Sequence, residues 1–271
     1  MKRLIPVLSL VVLWPLAKSW AQLRAPNEAG VTMGQLHAIV RDLDVAKKFW
    51  TLMGATPIEV DGIQVMKFPG VLVFLTQGEP SGGSSGSRVN HVGFWVPDGP
   101  GFVAKLKSAG VKTDPDAGVK KPGLKNVGNI YSPDDLKIEI LEDKDQTVAH
   151  PIVFDHLHYA LPDPAEAQAW YARMFGVKPM ADPRNQIIGD LAGTRLLFGK
   201  SSDPISPTKG RALDRVGFEV KSLQALCEKL EANGVKLDKP YSKSRHKGFA
   251  SAELTDPWGL SIELTEGLNP L

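Results

Sequence analysis

Residues 35–50 read QLHAIVRDLDVAKKFW, and residues 156–171 read HLHYALPDPAEAQAWY. The two stretches are copies of one plan, and that plan decides the fold. The first half of each alternates with the period of a strand. Leu36, Ala38 and Val40 fall on one face, and Gln35, His37 and Ile39 on the other. In the copy, Leu157, Tyr159 and Leu161 oppose His156, His158 and Ala160. The period then changes. Leu43, Ala46, Phe49, Trp50 and Met53 sit at helical spacing, as Trp170 and Met174 do in the copy. Asp42 or Asp44 starts the helix and Gly54 follows its end. The unit is a strand and a helix, with imidazoles or an amide on the strand face opposite the aliphatic one.

The chain then runs through three apolar segments, 55–60, 63–68 and 71–76, separated by the turn pairs Asp61-Gly62 and Pro69-Gly70. Strand, helix and a three-stranded meander make the order βαβββ. Residues 81–87, SGGSSGS, offer no bulky apolar residue and are expected as a flexible linker. A second unit follows. In its strand 89–96, Val92, Phe94 and Val96 oppose Val89, His91, Gly93 and Trp95. Its last strand ends at Glu142, with Ile138 and Ile140 opposing Lys137, Glu139 and Leu141. Residues 114–125, rich in Pro, Gly and Lys, are expected as a mobile loop over a cleft. The second half repeats this. RVGFEV (215–220) echoes HVGFWV (91–96), and Glu263 in the last strand is placed as Glu139 is.

Composition bounds the function classes. The net charge of +2 gives no support for nucleic-acid binding. Lys2 and Arg3 precede an apolar run to Ala17, and Ser19-Trp20-Ala21 offers a cleavage site. Residues 1–21 are expected as a secretory signal peptide, too short for a comfortable bilayer span, leaving no stable membrane anchor after cleavage. The single cysteine, Cys227, excludes an internal disulfide and reads as a core thiol. A secreted or bacterial periplasmic location is expected. Residues 22–30 read as a flexible leader, His150 as linker and His246 as a solvated loop residue.

The fourfold βαβββ plan resembles the vicinal oxygen chelate superfamily, which includes glyoxalase I, type I extradiol dioxygenases, fosfomycin-resistance enzymes and bleomycin-binding proteins. The most specific pieces are the His91 strand with its helix and the endings SPDDLKIEILE (132–142) and DPWGLSIELTE (256–266). The resemblance implies an α+β fold of four βαβββ units forming two tandem open-barrel domains, taken as residues 31–146 and 150–271. It implies a cleft that takes metal ligands from first and last strands.

Carried over by position, the first half offers His37, His91 and Glu139, with Gln35 as the alternative to His37. The resemblance implies a divalent metal there, Fe, Mn, Ni or Zn. Two His and one carboxylate suit an Fe(II) oxygenase, whereas the Gln35 set is closer to glyoxalase I. Phe74 stands where glyoxalase I has a further carboxylate. The second half offers His156, His158 and Glu263, but Arg215 replaces His91 and cannot ligate a metal. Arg215 is expected in an anion pocket or paired with Glu263, and Trp95 as a cleft wall. The general base is not identified; His158 and Tyr131 are candidates.

The implied function is an exported, divalent-metal-dependent enzyme acting on a small oxygenated molecule, of isomerase/lyase or ring-cleaving dioxygenase type. The alternative is a metal-free small-molecule binding protein of the bleomycin-resistance kind. Four units let one chain complete both clefts, so monomer and homodimer both fit.

Overall fold

The computed structural model describes residues 23–144, 151–244 and 249–271. The expected signal peptide, His150 and His246 lie outside the described residues. The first unit is β1 (Val31–Val40), α1 (Leu43–Met53), β2 (Thr56–Val60), β3 (Ile63–Phe68) and β4 (Val71–Gln77). The second is β5 (Val89–Val96), α2 (Gly99–Ser108), β6 (Asn126–Tyr131) and β7 (Lys137–Glu142). It has one strand fewer than expected, and an isolated bridge from Thr113 to Ile130 stands in for the third. The third is β8 (Val153–Leu161), α3 (Pro164–Phe175), β9 (Lys178–Met180), β10 (Ile187–Leu191) and β11 (Thr194–Lys200). The fourth is β12 (Leu213–Val220), α4 (Leu223–Ala232), β13 (Leu237–Lys243), β14 (Ala250–Thr255) and β15 (Ser261–Glu266).

The units pair across the halves. One sheet runs β13-β14-β15-β12-β1-β4-β3-β2 and joins the fourth unit to the first. The other runs β6-β7-β5-β8-β11-β10-β9 and joins the second to the third. This differs from the expected division, in which each half of the chain forms its own domain. The reason lies in connectivity. Only residues 143–152 separate β7 from β8, so the third unit lands antiparallel beside the second, as sequential neighbours commonly do. The first and fourth units are each left with an open first-strand edge, and β1 closes on β12. We call these sheets the inner cup (second and third units) and the outer cup (first and fourth).

The aliphatic strand faces and the helices share one core. In α1, Ala46, Phe49, Trp50 and Met53 are buried, at the spacing read from sequence. Asp42 is the N-cap, accepting from the Asp44 and Val45 amides at 2.8 and 3.0 Å, and Gly54 ends the helix at φ 110°. Asp163 and Gly176 do the same for α3. Such a cap is worth about 1 kcal/mol. Aromatic rings tie the two sheets together. Trp50 meets Phe68, and Phe68 lies 5.0 Å from Phe94 of the other sheet, which meets Phe154 at 5.3 Å. Cys227 is buried, as expected.

Two expectations are corrected. The 81–87 linker is fixed: Ser84 and Ser87 are fully buried. The Ser84 hydroxyl donates to the Asn90 carbonyl and accepts from the Lys137 amide, while Arg211 donates to the Gly83 carbonyl. Hydrogen bonds replace the apolar anchors it lacks. The described part of the leader is also packed, with Leu23 1% exposed and the Asn27 amide donating to the Phe175 carbonyl at 2.9 Å.

The turn before β15 is locked from α3. The Tyr171 hydroxyl donates to Asp256 Oδ2 at 2.8 Å, and Asp256 Oδ1 accepts from the Trp258 and Leu260 amides. Tyr171→Phe leaves a buried carboxylate oxygen short of its donor. A loss of about 1–3 kcal/mol is expected in urea denaturation, with the slope unchanged.

Candidate metal centre

The inner cup gathers three imidazoles and a carboxylate. The antiparallel register sets His91 of β5 opposite His158 of β8, and Gly93 opposite His156. The parallel β7 brings Glu139 beside Gly93. All four side chains stand on the face turned from the helices. Glu139 Oε2 lies 3.1 Å from His156 Nε2 and 3.5 Å from His91 Nε2. The other Glu139 oxygen accepts from the Asn126 amide.

Two of the imidazoles, His91 and His156, are oriented from behind. His91 Nδ1 is 3.0 Å from Asn90 Oδ1, and His156 Nδ1 is 2.7 Å from Asp155 Oδ2. Both Nδ1 atoms face acceptors and are assigned the proton, which leaves the Nε2 lone pairs aimed at Glu139. Asp155 is held in turn by the Arg195 guanidinium. Although both Nε2 atoms are within ion-pair distance of Glu139, neither has hydrogen-bond geometry to any neighbour, and both are buried. Gly93 makes room for this arrangement. A Cβ there would sit closer to the His156 ring than any real carbon contact.

The electrostatics follow from burial and crowding. Burial pushes the Glu139 carboxyl up, but His156 and then His91 outweigh it and hold it well below the usual range. Burial drives His158 down to about 3, with His91 and His156 adding to the effect, so it is neutral. His91 is lowered, chiefly by burial. For His156, burial opposes the proton, but Asp155 and Glu139 favour it more and raise the pKa.

The residues fit a divalent cation. One ligand atom from each of His91, His156 and His158 lies within 4.8 Å of the others. Two buried lone pairs converge on one carboxylate oxygen, and an Asp–His pair stands behind, as metal-bound imidazoles require. Two cavities, of about 340 and 360 Å³, both reach His158. Asp155→Asn keeps the size of the group but removes its charge. A loss of roughly 10- to 100-fold in metal affinity is expected, read by competition with a chromogenic chelator.

The outer cup has a different content. His37 Nε2 is 2.6 Å from Glu263 Oε2, and Gln35 Nε2 donates to the same oxygen at 3.4 Å. Arg215 Nε lies 3.5 Å from Glu263, and its Nη1 3.3 Å from Glu253. Phe74 stacks on His37 at 5.0 Å.

The expected ligand sets are therefore regrouped. His37 and Gln35 do not meet His91 and Glu139, and His156 and His158 do not meet Glu263, because the units pair second with third and first with fourth. The expected pair of Arg215 with Glu263 is present. Trp95 lies on the His91 face at the end of β5, with Lys125 Nζ 5.0 Å and Arg195 Cζ 5.8 Å from its ring centroid. Tyr131 is unsuited as a base. Its hydroxyl donates to Asp114 at 2.8 Å, and burial together with Asp114 pushes it up to about 12. Sequence reading missed Asn90, Asp155, Arg195 and Glu253. A signal for two of them was present: His91 and His156 each directly follow their own acceptor, as Asn90-His91 and Asp155-His156.

Comparison with known proteins agrees with this architecture. Residues 153–264 match the model of the Glyoxalase/Bleomycin resistance protein/Dioxygenase superfamily. Glyoxalase I from Zea mays superposes with a TM-score of 0.66 at 17% identity, covering 87% of this chain and 92% of that one. A Bacillus subtilis protein described as a candidate dioxygenase gives 0.64 at 14% identity, covering 93% and 87%. At such identities the likeness is one of fold. No curated protein matches the chain in sequence. Two sheets of tandem βαβββ units, open rather than closed barrels, around a His-rich cup define a vicinal oxygen chelate fold. The third and fourth units thus match the glyoxalase/bleomycin resistance/dioxygenase superfamily in sequence, and the whole chain shares the fold of those solved structures. Among the described residues no helix is long and apolar enough to cross a membrane.

Proposed function

We propose that the chain is an exported, divalent-metal-dependent enzyme with its working centre in the inner cup, acting on a small oxygenated organic molecule. One observation carries the reading: the buried, unpartnered Nε2 atoms of His91 and His156 converge on one Glu139 oxygen. His91, His156 and Glu139 are the holders of the ion, with His158 beside them. An ion bound there supplies a Lewis acid for two neighbouring substrate oxygens.

The protein's own residues do the rest. Asp155 and Arg195 keep His156 in one tautomer. Neutral His158, where both cavities meet, is placed to accept a hydrogen bond from a substrate hydroxyl. Leu197 and Ile187 give one cavity apolar walls. Two His and one carboxylate leave positions open and suit Fe(II), so ring-cleaving dioxygenation is the first reaction to assay and isomerase or lyase chemistry the second. Export rests on the residue 1–21 pattern. Both cups are complete within one chain, so a monomer suffices.

The test is oxygen uptake with a panel of catechols after anaerobic loading with Fe(II), alongside isomerase and lyase assays after loading with Mn, Ni or Zn. Metal-dependent turnover in one assay, abolished by Glu139→Gln, is the expected result. Tight binding of a small ligand by metal-free protein, with no turnover under any metal, would overturn it in favour of a sequestering protein.

A further inference from the structure

The outer cup repeats the inner framework position by position. Gly217 stands opposite Gln35 and beside Glu263, as Gly93 stands opposite His156 and beside Glu139. Arg215 stands opposite His37, as His91 stands opposite His158. A Cβ at Gly217 would collide with the Gln35 side chain, just as one at Gly93 would collide with His156. Two places differ in chemistry: an amide replaces one imidazole, and a guanidinium replaces the other.

The guanidinium is decisive. Arg215 contacts Glu263 at 3.5 Å and Glu253 at 3.3 Å, and Lys239 contacts Glu253 at 2.7 Å. The Glu263 carboxylate, counterpart of Glu139, is thus already neutralised by a cation fixed in a ligand's place. A guanidinium is a permanent cation with no lone pair to offer a metal. A dication beside it meets like-charge repulsion in a buried site, where screening is weak. The fit is imperfect: Arg215 Nε and His37 Nε2 are buried without hydrogen-bond geometry to a partner.

We infer that Arg215 is a built-in counter-ion that closes the outer cup to metal, and that this cup is a latent divalent-metal site opened by removing that one charge. The inference rests on the reading that the inner framework holds a metal.

The test uses Co(II), counted by elemental analysis and followed by its visible ligand-field bands. Every outer-cup variant is made in a His156→Ala background, so that the inner cup does not contribute. His156→Ala alone is expected to bind no Co(II). Adding Arg215→His is expected to bring one Co(II) per chain, with tetrahedral or five-coordinate bands. Folded double-substituted protein, by circular dichroism, with no Co(II) overturns the inference. So does a Co(II) in His156→Ala alone that Glu263→Gln removes. Should the combined variant not fold, Glu263→Gln in the otherwise native chain decides: an unchanged Co(II) content supports the inference, and a fall overturns it. Native protein without Co(II), beside an outer-cup variant that gains one, overturns the inner-cup reading and leaves this one standing.

Discussion

Gly93→Ala is expected to abolish metal binding in a protein that still folds. The added methyl would lie against Cε1 and Nδ1 of His156, closer than packed carbons approach. The ring has no room to yield. It is 1% exposed, with Nδ1 tied to Asp155 and Nε2 facing Glu139. Either the imidazole leaves its line to Glu139 or β5 and β8 part. Overpacking of this kind costs about 1–3 kcal/mol in stability. The loss of metal affinity is expected to reach at least the roughly 100-fold that a displaced supporting group produces. Gly217→Ala is the control. It meets Gln35 in the same way, so a similar fall in stability is expected with metal content untouched. Thermal melts and metal analysis on both variants separate the two effects.

Asp256→Ala is expected to lower stability by roughly 3–5 kcal/mol, since it strips the partner from the Tyr171 hydroxyl and from the Trp258 and Leu260 amides together. Asp256 is 4% exposed, so water does not replace the lost acceptor. Burial raises its carboxyl above the ordinary value, against the donors that lower it. A raised folded-state pKa means that the group's contribution is fully present below the unfolded pKa and is lost as pH climbs through the folded one. The gap between native protein and variant is therefore expected to widen as pH falls from 7 toward the carboxylate range. Urea titrations at two pH values measure it. A cycle with Tyr171→Phe isolates the hydroxyl's share, because the two residues touch and their effects do not add.

The strand–helix unit was legible because its two periods meet within sixteen residues and because Asp42 and Gly54 mark the helix ends. The faces were legible too. His91, Glu139, His156 and His158 all point away from the helices, as alternation requires. What alternation cannot carry is which unit sits beside which. His37 and His158 look equivalent along the chain, yet β1 pairs with β12 while β5 pairs with β8. That choice is made by connection length and open edges, and it moves His156 from Glu263 to Glu139. Residues 81–87 misled for a related reason. A serine's burial depends on distant partners, and Ser84 finds them in Asn90 and Lys137. The ion pair of Arg215, by contrast, was legible from the repeat alone, since the copy of His91 has a guanidinium facing the copy of Glu139.

The central claim is that the metal lies in the inner cup, between the second and third units. Its most direct test is the metal content of purified chain, His156→Ala and His37→Ala, after reconstitution with each of Fe(II), Mn, Ni and Zn. About one ion per chain is predicted for the native protein and for His37→Ala, and none for His156→Ala. Metal kept in His156→Ala and lost in His37→Ala would contradict the account, and metal absent from all three would leave a small-molecule binding protein.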